Sequence, residues 1–92
     1  INRLAVGTLA GNPFGDATTQ FFRTMSRCLG QALGRSMQVT APFRRMSKAR
    51  LIASMPTAPL HLTFSCLAPR GRHHCGRCNK CAERQRAFRG AG

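Results

Sequence analysis

The order of apolar segments predicts an α/β chain that runs strand, loop, helix, strand, loop, helix, with loops after the strand ends. Leu4 to Leu9 is a short apolar run without alternation, as in a strand buried on both faces. Between Ala17 and Leu33 the apolar residues recur at helical spacing. Near the end, Cys66, Cys75, Cys78 and Cys81 crowd together as a metal site would.

Each element has a local reason. The first strand ends in Gly11-Asn12-Pro13-Phe14-Gly15-Asp16, turn formers that neither extend a strand nor begin a helix early. Asp16 is the expected N-cap of the helix over 17–33. There Phe21, Phe22, Met25, Cys28, Leu29, Ala32 and Leu33 form one face, Arg23, Arg27 and Gln31 the other, and Gly34 is the expected stop. Met37 to Ala41 reads as a second strand closed by Pro42. Ser47 is placed to cap a short helix from Lys48 to about Ser54, and Pro56 and Pro59 bracket a turn. Leu60 to Ser65 alternates with period two, which predicts an extended segment with one buried face. A last short helix is expected from Cys78 to Phe88.

The chain has 92 residues, enough for one small domain or part of a larger one, with a core near the limit of self-sufficiency. Its 42% apolar content excludes a disordered composition. Fifteen Lys and Arg against two acids, Asp16 and Glu83, give a net charge of +13. That balance excludes an ordinary acidic module and favours polyanionic partners. No apolar run is long enough to span a bilayer, and no signal peptide is visible. The first residue is Ile1, so an internal or C-terminal piece of a longer protein is expected. The odd count of five cysteines suits metal ligation in a reducing, cytoplasmic compartment better than a disulfide framework.

Cys66-x8-Cys75-x2-Cys78-x2-Cys81 is the strongest chemical signal. Zinc prefers four soft ligands in a tetrahedron, and a CxxC step lets two thiolates converge from one tight turn. Gly76 gives that turn access to positive φ. Cys78 and Cys81 lie three apart at a helix start, and Cys66 closes the set. Four thiolates leave no open position, so one structural zinc is expected. Arg70, Arg72, Arg77 and Lys80 would offset its charge. The alternatives are four free buried cysteines, or His73 or His74 replacing one thiolate; the two histidines are expected instead to face phosphate or solvent. Cys28 is expected to pack as a small hydrophobe. Glu83 is expected to pair with Arg84 or Arg86.

Gly11-Asn12-Pro13-Phe14-Gly15-Asp16-Ala17-Thr18, Phe21-Phe22, Ala41-Pro42-Phe43 with Ser47-Lys48-Ala49, Leu60 to Cys66, and His74 to Arg84 with Ala87-Phe88 behind them form a series of blocks. In order and spacing they resemble the C-terminal half of the 7-cyano-7-deazaguanine synthases (QueC-type), essentially end to end. The resemblance implies a fragment of an adenine nucleotide α-hydrolase-like fold (PP-loop ATPase, Rossmann-like) with a C-terminal zinc site of four cysteines. It implies residues 1–65 as the substrate-side part of the α/β domain and 66–92 as the zinc loop and terminal helix. The implied reaction takes 7-carboxy-7-deazaguanine, ammonia and ATP to 7-cyano-7-deazaguanine on the way to queuosine. Adenylation, amidation and an ATP-dependent dehydration follow one another. A zinc near the substrate pocket and a homodimer are also implied.

Two departures stand out. No Ser-Gly-Gly-x-Asp-Ser turn occurs, so the ATP site is expected mostly in a missing N-terminal half, with the fragment alone inactive. Arg50 stands where Glu usually follows Ser-Lys-Ala; it cannot complete a capping box, so that helix should be weaker. Given the resemblance, Phe14, Asp16 and Lys48 are candidate substrate-binding residues. Asp16 would accept from the guanine-like edge, Phe14 would pack over the ring, and Lys48 would neutralise a carboxylate or phosphate. No catalytic residue is assigned. Competing functions are a QueC-like anti-phage defence protein and a basic zinc-ribbon nucleic-acid-binding module. The absence of Trp and Tyr for base stacking weighs against the latter, leaving nucleic acid a less favoured partner.

Overall fold

The computed structural model describes residues 1–92, which divide into two compact units, Ile1–Ser47 and Lys48–Gly92. The expected functional boundary at 65/66 falls inside the second of these units.

In the first unit, β1 (Arg3–Ala5) pairs in parallel with β2 (Gln38–Thr40), with Leu4 opposite Val39. A parallel pair needs a crossover, and α1 (Thr19–Leu33) supplies it by packing against β2. The expectation of a strand buried on both faces is corrected. All three β1 residues are exposed, because this unit holds two strands and a single helix to cover them. Pairing extends one rung through the Val6 amide to the Thr40 carbonyl at 2.8 Å, and Ala10 then bonds the Met46 carbonyl. Phe22 and Ala41 are the buried apolar side chains here.

The start of α1 corrects a second expectation. Gly15–Ala17 forms a 3-10 turn, so the residue that stands at the helix entry is Thr18 rather than Asp16. The Thr18 hydroxyl accepts from the Phe21 amide at 3.1 Å and donates to the Gly15 carbonyl at 3.2 Å. Gly34 ends the helix as expected, at φ 63°. The chain then folds back so tightly that a Cβ on Gly30 would meet the Arg35 carbonyl oxygen at 3.0 Å. Cys28 is exposed on α1 rather than packed, since the sheet covers only part of the helix's apolar face. Ser26, on the sheet side, donates to the Phe22 carbonyl and accepts from the Val39 amide, both at 2.8 Å.

In the second unit, α2 (Lys48–Ala53) packs on α3 (Asn79–Ala91). Gly90 permits the approach: a Cβ there would lie 3.1 Å from the Ala49 methyl. Ala87 and Cys81 on α3 are buried. The expected extended segment from Leu60 to Ser65 is also corrected. Leu60–Leu62 is a 3-10 turn, held by the Thr63 amide and hydroxyl on the Leu60 carbonyl. Apolar–polar alternation signals a strand only where a neighbouring strand pairs with it, and none does here; Leu62 and Phe64 are exposed. No helix is long and apolar enough to cross a membrane.

Candidate metal centre

The sulfurs of Cys66, Cys75, Cys78 and Cys81 all lie within 4.8 Å of one another. A tetrahedron with ~2.3 Å metal–sulfur bonds sets its sulfurs about 3.8 Å apart. The Cys75–Cys81 pair is at 3.9 Å, so the donor set fits a zinc-sized ion with only a small contraction.

Local backbone builds this cluster. Gly71 at φ 60° turns the chain so that Arg70 and His73 exchange backbone hydrogen bonds at 3.0 and 3.1 Å. That hairpin returns the chain to Cys66, whose sulfur accepts from the Cys75 amide at 3.2 Å. Gly76 at φ 73° folds the CxxC step, and the Cys75 sulfur accepts from the Arg77 and Cys78 amides, both at 3.3 Å. Cys78 is the N-cap of α3, its sulfur accepting from the Cys81 amide at 3.3 Å. Cys81, one turn in, is the most buried of the four.

These amides also set the charge state. Backbone donation from Leu67, then Cys81, holds the Cys78 thiol down at about 6. Donation from Arg77 and Cys78 lowers Cys75. Burial pushes Cys81 up to about 12, helped by the hydrogen bond with Cys78. Amide donation thus favours the thiolate at Cys78 and Cys75, while burial favours the protonated thiol at Cys81, whose proton a bound cation would displace.

Around the cluster, Arg84 ties the 60–65 segment to α3. Its guanidinium donates to the Leu60 carbonyl at 2.9 Å, to the Thr63 hydroxyl at 2.8 Å and to the Ser65 hydroxyl at 3.4 Å. It also lies 4.8 Å from the Phe88 ring centre. His74 stands outside the sulfur group. Its Nε2 accepts from the Ser65 amide at 3.4 Å, and its ring lies 4.2 Å from that of Phe64. His73 is an exposed turn residue.

The expected pairing of Glu83 with Arg84 or Arg86 does not form. Glu83 takes Lys48 on one oxygen and Lys80 on the other, the latter at 3.0 Å. Lys80 is three residues earlier on the same helix face, while Arg84, one residue on, points to the 60–65 segment. Lys48 is therefore engaged by a carboxylate. The two ammonium groups and the hydrogen bonds they donate hold Glu83 below the usual carboxylate range, Lys48 acting most strongly.

In the first unit, Asp16 lines a cleft of about 350 Å³ together with Asn12, Thr8 and apolar side chains that include Val6 and Phe21. Phe14 is 65% exposed beside it and does not line that cleft. Sequence reasoning missed Ser26, Arg84 and Phe64. For Arg84 a signal existed, because Phe88 follows at i+4 and favours an arginine–ring contact over a pair with the adjacent acid.

A parallel α/β unit followed by four thiols gathered at a helix start defines a small α/β protein whose cysteine cluster could hold a metal ion. The chain belongs to the family of the queuosine biosynthesis protein QueC, whose model matches residues 2–92. It is 35% identical over 95 residues to a 7-cyano-7-deazaguanine synthase of Rhizobium leguminosarum bv. trifolii, covering 97% of this chain and 40% of that protein. The corresponding protein of Chelativorans sp. is 34% identical over 83 residues, covering 86% of this chain and 35% of the relative. That of Sulfolobus acidocaldarius is 34% identical over 79 residues, covering 82% and 17%. The chain thus spans well under half the length of these relatives. No solved structure matches.

Proposed function

We propose that the chain is the zinc-bearing, substrate-side part of a 7-cyano-7-deazaguanine synthase that turns 7-carboxy-7-deazaguanine, ammonia and ATP into the nitrile. The observation that carries this is the gathering of four sulfurs within 4.8 Å in a chain of the QueC family. Cys66, Cys75, Cys78 and Cys81 hold one zinc, whose role is structural because all four positions are filled by the protein. Residues 1–65 belong to the PP-loop α/β domain and 66–92 form the zinc loop and terminal helix. The ATP phosphates are held by residues outside these 92, which contain no Ser-Gly-Gly-x-Asp-Ser turn. The working protein is a cytoplasmic homodimer.

Asp16 is free for substrate because Thr18 takes the capping role. Its carboxylate, in a cleft lined also by Thr8, Asn12 and mostly apolar side chains, suits the N–H donors of a guanine-like edge. Phe14, exposed on the same loop, packs over the ring. Lys48 carries three donors and spends one on Glu83, which leaves donors for the substrate carboxylate.

The test is nitrile formation by the full-length protein, followed by mass spectrometry with and without ATP, beside a zinc determination. One zinc per chain and ATP-dependent loss of the carboxylate are expected, with Asp16→Asn raising KM for the deazaguanine. A zinc-loaded protein that binds ATP yet leaves the acid unchanged would refute the proposal.

A further inference from the structure

The first unit carries a groove of about 820 Å³ between α1 and β2. Arg23 and Arg27, one turn apart on α1, reach it from one side, and Arg44, from the loop after β2, reaches it from the other. Gln20 and Gln38 add amide groups. No acid lines the groove: Glu83 is taken by two lysines in the other unit, and Asp16 lines a different cleft. Both ion pairs of the chain are those of Glu83, so all three arginines are without a counter-charge. Two arginines at i and i+4 repel and weaken a helix unless something negative lies opposite them. Guanidinium forks match the paired oxygens of phosphate, and a chain at +13 concentrates polyanions near its surface.

We infer that this groove binds the phosphodiester backbone of a nucleic acid, with Arg23, Arg27 and Arg44 each meeting a phosphate. An extended, repeating anion fits cations spread along an open groove better than a compact one does. The aromatic residue that lines it, Phe22, is 7% exposed and offers no face to a base. Recognition is therefore of backbone and independent of sequence. The site is separate from the metal loop, and it does not depend on the reaction proposed above.

The experiment uses the full-length protein and a fluorescent RNA duplex, with affinity measured between about 50 and 200 mM salt. The variant R23Q/R27Q is compared with R35Q/R86Q, which removes the same charge from two arginines that do not line this groove. Neither Arg23 nor Arg27 makes a side-chain bond within the fold, and circular dichroism checks that both variants keep the parent helix content. Loss of two phosphate contacts should lower the slope of log affinity against log salt by about 1.8 for R23Q/R27Q, and by much less for the control. Two duplexes of different sequence should bind alike. Equal losses in both variants would overturn the inference, since net charge alone would then explain the binding. Displacement of the duplex by ATP at equal phosphate concentration would also overturn it, because the site would then be one for small phosphates.

Discussion

Replacing Cys81 with Ser tests how far the second unit depends on the proposed zinc. Cys81 is 2% exposed and donates from the first turn of α3, and Ala87 is the other buried apolar side chain of this unit, Lys48–Gly92. With so little apolar burial, the proposed zinc would supply most of what holds the 66–78 loop to α3. Structural zinc contributes on the order of 10–16 kcal/mol through four ligands at neutral pH. One ligand's share is about 2.5–4 kcal/mol, which corresponds to a loss of roughly 10²- to 10³-fold in zinc affinity. Competition against a chromophoric chelator measures that loss. Amide hydrogen exchange on the same samples should show the α3 amides losing protection while those of α1 keep theirs, because α1 and β2 form a compact unit of their own. A Cys81→Ser chain that binds zinc within about tenfold of the parent, with α3 still protected, would refute the reasoning.

Thr18→Ala should destabilise the first unit by about 1 kcal/mol in denaturant unfolding, whereas Asp16→Ala should leave it within a few tenths of a kcal/mol; the reverse order would restore Asp16 as the cap. Arg84→Ala frees the 60–65 segment from α3 and should cost about 1–3 kcal/mol, with Arg84→Lys recovering little because a lysine cannot span the Leu60 carbonyl and two hydroxyls. The Glu83 carboxyl is depressed in the folded chain, so its pairs with Lys48 and Lys80 stabilise fully above the ordinary carboxylate pKa. That contribution should fade as pH falls through the lowered folded value, by no more than about 1 kcal/mol because the pairs are half exposed, and Glu83→Gln should abolish the dependence in acid titration of stability.

The parts of this molecule that sequence predicts well are those where one chemical requirement dominates. Four sulfurs must converge on an ion, and CxxC spacing with Gly76 admits few other geometries. The body of α1 is equally plain, since its periodicity and Gly34 agree. Prediction weakens where two residues can do the same task. Asp16 and Thr18 are both competent caps, and the 3-10 turn over Gly15–Ala17 decides between them. Leu60 to Ser65 has the alternation of a strand but no partner, so local bonds to the Leu60 carbonyl prevail. Glu83 has cations on both sides in sequence, and only the packing of α2 on α3 brings Lys48 to it. Ser26 interrupts an apolar face for a reason that exists only once Val39 lies beside it.

Cys78 performs two tasks with one atom: its sulfur closes the first turn of α3 and belongs to the metal cluster. Serine is the better residue for the first task and a poor one for the second. A substitution at this position would therefore separate two properties that the natural residue locks together. Cys78→Ser would keep an acceptor for the Cys81 amide at the start of the last helix while removing one sulfur from the cluster. Helix initiation and the donor set of the metal site thus share a single atom, and neither can be altered at this position without the other.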